Sequence, residues 1–478
     1  MTMYAKVNIS SQIAGQTRRA MTAAAAMFLF GCAVGPDYKT PEIPTGPGWT
    51  PIDGVTTDAV ESNWWQRFDD PKLTSLIDSA QKQSLAIAEA KARVTEARAI
   101  RAAAIGGFWP GIAASGSSVR QRSSENVPGL ASLGGGSAYQ TVYDVGLDSA
   151  WELDLFGKTR RRVESADAAY HSAIERERDV RTSIIAETTL TYFELRGAQL
   201  QLVAEQASYA AAGKNHALIE RRYQVGRASL ADLHRAYADF KSIDARIPGL
   251  EALRDVAARR LSLLLGELPE SRIALTSQSS RFPILAPVPI GTRADLVRRR
   301  PDVRASERAL AAATANIGVA KGEFFPSLSL VSSAGYSSSS SGSLTDSVSR
   351  TWSVMPLIQW RLFEGGRIKA EVKAAKSRAK QAALAYEASV LGAISEVEQS
   401  LIRYHRQLDA VDRQAAAVKA TEAGLELIDR QYRAGGVSLL ILLDAQRQLN
   451  SARSQLAQFQ TNAALDLVRL YRALGGGW

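Results

Sequence analysis

The sequence is poor in the residues from which most active sites and metal centres are built. There is one cysteine, Cys32, in 478 residues, which excludes an internal disulfide and every multi-cysteine metal site. The four histidines, His171, His216, His234 and His405, are scattered without metal-ligand spacing. Neither a nucleophile elbow nor a phosphate-binding loop occurs. An enzyme would therefore need a site assembled from distant loops. Beyond Cys32 there is no run of about 18 apolar residues, so a spanning α-helix is excluded and any bilayer crossing must use strands. The formal charge is +10, yet Lys and Arg interleave with Asp and Glu along most of the chain, which reads as solvated helix faces rather than a nucleic-acid surface.

What is present begins with the first thirty residues. Basic Lys6, Arg18 and Arg19 precede an apolar run from Ala20 to Phe30 and a small Gly31, the pattern of a secretory signal over residues 1–31. Leu29-Phe30-Gly31-Cys32 resembles the bacterial lipobox, whose thiol receives a diacylglycerol and becomes the new N-terminus; Phe30 stands where that motif usually holds a small residue. Ala33 follows where inner-membrane retention tends to place Asp, so the resemblance implies sorting to the outer membrane. Residues 32–60 then form a lipid-anchored extended segment. The covalent lipid on Cys32 is the only attached group expected.

The rest of the chain is duplicated. Phe108-Trp109-Pro110 recurs as Phe324-Phe325-Pro326, and Trp151 with Leu155-Phe156-Gly157 recurs as Trp360 with Leu362-Phe363-Glu364-Gly365. Tyr223, Gly226, Ser229 and Leu230 return as Tyr432, Gly435, Ser438 and Leu439, and Leu265-Gly266 as Leu474-Gly475. The period exceeds that of any solenoid repeat, which implies two copies of one large unit, 60–268 and 285–478. Each copy reads as helix, two strands, very long helix, helix. Thr74 to Ala104 is proline-free and rich in helix formers. From Gly157 to Gln224 only Gly197 and Gly213 interrupt, giving a rod of roughly 100 Å, and Gly366 to Arg433 repeats it. The return helices are Leu230 to Leu265, where Pro248 predicts a break, and Leu439 to Leu474. Leu442, Leu449, Leu456, Ala463 and Leu470 recur every seventh residue, as do Leu233, Phe240, Ile247 and Leu261 around Arg254, which implies coiled packing.

The strands carry the membrane signal. From Tyr139 to Leu155 one alternate set is mostly apolar and aromatic, while the other holds Gln140, Asp144, Asp148, Glu152 and Asp154. Trp352, Val354, Pro356, Ile358, Trp360 and Leu362 alternate similarly with Ser353, Gln359 and Arg361. Such alternation suits a barrel with lipid outside and water inside; weaker strands precede each, near 112–122 and 327–336. Ser/Gly-rich stretches, 123–138 and 337–345, read as exposed loops. Four strands cannot close a barrel, since the smallest need about eight, and open edges are forbidden in lipid. Two chains would supply eight strands and three would supply twelve; both remain open on this reasoning.

Further motifs resemble one family. Gly35-Pro36-Asp37-Tyr38 with Pro41, Trp64-Trp65-Gln66-Arg67-Phe68, Asp70-Pro71-Lys72-Leu73, Arg300-Pro301-Asp302-Val303 and the closing Leu474-Gly475-Gly476-Gly477-Trp478 resemble, in order, the TolC/OprM-type outer-membrane efflux lipoproteins that include nodulation-T-type proteins. The resemblance implies a mixed α/β, mainly α protomer, in a homotrimer with a twelve-stranded β-barrel in outer-membrane lipid and a periplasmic α-helical barrel. It implies a passive exit duct for small molecules in a tripartite pump, with a periplasmic adaptor (membrane fusion) protein and an inner-membrane RND transporter as partners. It also implies that the turns at Gly226, Ser229, Gly435 and Ser438 are the tips that contact the adaptor. Asp444 matches an acidic position of the family's periplasmic gate, whereas Ile441 and Val437 stand where a second acid and a basic latch residue occur. Asp232 is placed to bond Tyr432 across the tip.

Two other readings remain in view. A type I protein-secretion channel would share the architecture. A periplasmic coiled-coil adaptor or binding lipoprotein would share the anchor and heptads, but not two strand pairs with opposed apolar and acidic faces.

Overall fold

The computed structural model describes residues 33–46, 48–50, 55, 56, 58, 61–122, 139–277 and 288–478. The signal segment 1–31, Cys32 and the loop 123–138 lie outside the described residues. Four strands, β1 (Gly111–Arg122), β2 (Tyr139–Leu153), β3 (Ser327–Ser338) and β4 (Arg350–Gln359), form one antiparallel sheet in the order β1-β2-β3-β4. The helices are α1 (Pro71–Gln83), α2 (Leu85–Gly106), α3 (Lys158–Gln224), α4 (Leu230–Asp244), α5 (Ile247–Leu264), α6 (Arg293–Arg299), α7 (Pro301–Gly322), α8 (Arg367–Arg433) and α9 (Leu439–Ala473). Helix, strand pair, long helix and return therefore occur twice in the same order. Both α3 and α8 are 67 residues long, so each rod spans about 100 Å.

The contacts divide the chain into two compact units, one of Met1–Pro41, Thr95–His171 and Glu307–Leu384, the other of Glu42–Val94, Ser172–Ser306 and Ala385–Trp478. The first contains the sheet. Its N-terminal strand of chain is tied down: the Val34 N–H donates to the Phe156 carbonyl at 3.0 Å, Arg161 bonds Asp37 at 2.6 Å, and Tyr38 bonds Glu307.

The second unit shows why the helices break where they do. The expected single helix from Thr74 to Ala104 is two helices, because buried Ser84 turns to extended ψ between α1 and α2. Asp70 caps α1 by accepting from the Lys72 and Leu73 N–H groups at 2.9 and 3.2 Å, with Pro71 just inside the helix. The end of α5 lies against that break: a Cβ on Gly266 would sit 2.7 Å from the Gln83 carbonyl oxygen. The second copy repeats the junction, with Gly475 after α9 against Arg300, the residue between α6 and α7. Arg300 bonds Asp302, Glu396 and the Ala473 carbonyl, at 2.7–3.0 Å, so the Arg-Pro-Asp motif ties α7 to α8 and α9. The break predicted at Pro248 occurs, with α4 ending at Asp244 and Pro248 in the first turn of α5.

The α9 stripe behaves as its period requires: Leu442, Leu449, Ala463 and Leu470 are buried and Leu456 partly so. In the first copy the deepest line is instead Ala236, Ile243 and Ala257, with Leu261; Leu233, Phe240 and Ile247 flank it half-buried.

Candidate functional site

Two regions can carry function, the sheet and the helix turns. Register pairing sorts the sheet into two chemically opposed faces. Leu147 lies opposite Ala114 and Ala334, Val145 opposite Gly116 and Tyr336, Trp151 opposite Leu330, and Ile358 opposite Leu328. On the other face Asp144, Asp148 and Glu152 pair with Ser117, Ala113 and Ser329. The Ser115 hydroxyl donates to Asp148 at 2.6 Å, and Ser333 and Ser353 bond each other at 2.8 Å. The apolar face is bare: Ile112 is 70% exposed, Trp352 79% and Ile358 71%. An uncovered apolar face on one side and a hydrogen-bonded acidic and hydroxyl face on the other is the pattern of a wall between lipid and water. Both edges, β1 and β4, lack a partner strand within the described residues.

At the ends of β2 and β4 the two repeats use the same aromatic device. The Trp151 indole N–H donates to the Phe108 carbonyl at 2.9 Å, and Trp360 to the Phe324 carbonyl at 3.0 Å. The polar face continues into a chain of charges, Glu152 to Lys158 (3.6 Å), Lys158 to Glu323 (2.7 Å), Arg361 to Glu323 (2.8 Å) and Arg361 to Glu364 (3.7 Å). Arg367 then bonds Glu364, and Glu371 at 2.6 Å. Sequence reasoning missed this network, although the charged residues that follow each strand pair signalled it.

The turns expected at Gly226 and Gly435 both form with positive φ, 72° and 79°. In each, the glycine N–H and the next one return to the carbonyls of the last helical turn: Gly226 to Tyr223 and Arg227 to Arg222, Gly435 to Tyr432 and Gly436 to Gln431, at 2.7–3.1 Å. Only a residue tolerating left-handed backbone closes such a turn without strain. Ser229 caps α4 in a reciprocal box with Asp232, whose N–H reaches the Ser229 hydroxyl at 3.1 Å while its carboxylate accepts from the Ser229 N–H at 3.3 Å. Ser438 makes no side-chain cap bond, and Ile441, in the place of Asp232, has no carboxylate to return the reciprocal one. The two turns share one core, Ile219, Ala236, Leu439, Leu442 and Leu443, with Leu425 and Ile428 packed against it.

One expected contact is corrected. Asp232 does not bond Tyr432; its carboxylate is held by the cap and by Arg235 at 3.9 Å. Tyr432 accepts instead from Arg222 at 2.6 Å, and the same guanidinium lies 5.0 Å from its ring centroid. Arg222, in the last turn of α3, was not singled out from the sequence. Asp444 is exposed and accepts from Gln448 at 2.8 Å, with Arg447 at 3.5 Å. Val225, Leu230, Leu440 and Ile441 stand exposed around the turns.

Comparison with known proteins places this geometry. The model of the outer membrane efflux protein family matches residues 76–267 and 294–476. The chain is 31% identical over 462 residues to TtgC, a probable efflux pump outer membrane protein of Pseudomonas putida, covering 95% of each. It is 32% identical over 461 residues to nodulation protein T of Rhizobium leguminosarum bv. trifolii, covering 95% of this chain and 96% of that one. Among solved structures, the outer-membrane channel OprN superposes with a TM-score of 0.87 at 34% identity, over 94% of this chain and all of that one. The open state of the MtrE outer membrane channel of Neisseria gonorrhoeae gives 0.81 at 28% identity, over 93% and 98%.

Proposed function

Because this chain belongs to the outer membrane efflux protein family and is an outer-membrane efflux channel protein, we propose that three copies close a twelve-stranded barrel continued by a helical barrel in the periplasm. Each protomer supplies two repeats, 60–268 and 285–478. The observation that supports this most is the sheet, with its bare apolar face, acidic face and two unpaired edges. Backbone groups on those edges would be unsatisfied in lipid, and neighbouring copies satisfy them.

The duct consumes nothing; transport is driven by partners, a periplasmic adaptor and an inner-membrane RND transporter. The exposed turns around Gly226, Ser229, Gly435 and Ser438 are the surface offered to the adaptor. Tyr432, held by Arg222, and Asp232 and Asp444 control the opening there. The thiol of Cys32 carries the lipid that anchors the chain to the outer membrane.

Deletion of the gene, scored for intracellular dyes, antibiotics and metal ions and for secreted proteins, tests this reading. Accumulation of small molecules, reversed by the intact gene but not by Cys32→Ala, supports it. Normal accumulation with missing secreted proteins would replace it with protein secretion.

A further inference from the structure

Helix α8 begins eight residues after the last residue of β4 with an arrangement that its own chain does not neutralise. Lys369, Lys373, Lys376 and Lys380 recur at the spacing of a single helix face, and all four are exposed. Among the described residues none of them makes an ion pair. Such an array is unfavourable in isolation, because like charges four residues apart repel and Lys369 sits in the first turn, at the positive end of the helix dipole. The first copy does not share it. Counting from the start of each helix, the same places in α3 hold Arg160, Glu164, Asp167 and His171, with Glu164 bonded to Arg161 and Asp167 to Arg101.

The direction of the stripe follows from the charge network. Arg367 and Glu371 are linked through Glu364 and Arg361 to Glu323, Lys158 and Glu152, a residue of the acidic face of the sheet. They mark the water-channel side of α8. At about 100° per residue, the four lysines lie roughly 160–220° around the helix from the midpoint of that pair, on the side of the apolar face. There Trp360, 57% exposed, and Leu362, 77% exposed, end the apolar band. The stripe then runs about 16 Å along the helix, starting where a headgroup layer about 5–8 Å deep borders the hydrocarbon.

We propose that this stripe docks anionic phospholipid headgroups of the periplasmic leaflet of the outer membrane. Lysine ammonium groups on flexible stems reach such a layer from a helix beside it, and juxtamembrane basic clusters bind acidic lipid in this way. The inference rests on the sheet spanning the outer membrane, but not on what the channel exports.

The test uses the full chain, purified in neutral detergent and titrated with phosphatidylglycerol, with phosphatidylcholine and with inorganic phosphate, while thermal unfolding is followed. Phosphatidylglycerol raises Tm and phosphatidylcholine does not, and the half-saturating concentration rises at high salt. The variant K369Q/K373Q/K376Q/K380Q needs roughly tenfold more phosphatidylglycerol or greater, and the corresponding four-arginine variant behaves as the parent. Should the fourfold variant fail to migrate as a folded oligomer, K369Q/K373Q reads the same shift in smaller measure. An unchanged titration in the glutamine variants overturns the proposal. So does equal protection by inorganic phosphate, which would make the ligand a soluble anion. Drug accumulation in the deletion strain is scored separately, so a failed lipid titration leaves the efflux reading standing.

Discussion

The Arg222 guanidinium meets Tyr432 twice, donating to its oxygen and lying near its ring face, so the two ways of weakening the contact are separable. A hydrogen bond from a charged donor contributes about 1.5–3 kcal/mol and a partly exposed cation–π contact about 0.5–1 kcal/mol. Arg222→Ala removes both and Tyr432→Phe only the first. Single-channel conductance in planar bilayers should therefore rise in both variants, more in Arg222→Ala; a conductance equal to the parent in both would remove this pair from any gating role. Glu398 offers a pH test. Burial pushes its carboxyl up, but Arg293 at 2.5 Å and the Thr50 N–H at 3.2 Å outweigh it and hold the group below the usual glutamate range. A lowered folded value contributes stability above the unfolded value of about 4.3 and loses it as pH falls through the folded one. Glu398→Gln should lower Tm at neutral pH, and the gap from the parent should close below about pH 4. A gap that persists in acid would show packing rather than charge at work.

Among the elements, the two turn serines differ although each follows a glycine by three residues and precedes a leucine. Ser229→Ala breaks a cap and should cost about 1 kcal/mol locally, read as faster amide hydrogen exchange over 230–233. Ser438→Ala removes no cap bond and should leave exchange over 439–442 unchanged. Equal effects would mean that both act through solvent. Gly197 lies mid-helix in α3, where a Cβ would overlap the buried Thr461 side chain of α9. Gly197→Ala should thus lower stability by about 1–3 kcal/mol, despite alanine's better helix propensity. Length and missing proline made both rods legible, and the alternation of acids with aromatics made β2 legible. The Ser84 break was not, since serine is tolerated within helices and only its burial, beside a Gln83 carbonyl packed against Gly266, distinguishes it. The Tyr432 partner escaped for a related reason. Both Asp232 and Arg222 lie near the turns, but the cap with Ser229 uses the carboxylate first.

For the whole molecule the edges of the sheet decide. Cys32 is the single natural cysteine, so paired thiols can be introduced cleanly at Ala114 on β1 and Val354 on β4, both on the apolar face. A short bifunctional thiol reagent applied to membranes carrying Ala114→Cys/Val354→Cys should yield a ladder ending at three chains. A ladder ending at two would make the barrel eight-stranded, the alternative that strand counting alone left open. Strand number per chain was legible because face alternation repeats twice; copy number was not, because closure depends on curvature that no single chain specifies.

The unpaired edges also have a consequence for inheritance. A protomer whose β1 cannot pair is not silent when made beside normal ones, for it leaves a gap in every ring it enters. With equal amounts of both and random mixing into the proposed threefold rings, only about one ring in eight is free of it. Mutations at these edges should therefore act dominantly, whereas loss of the whole gene on one of two copies should not.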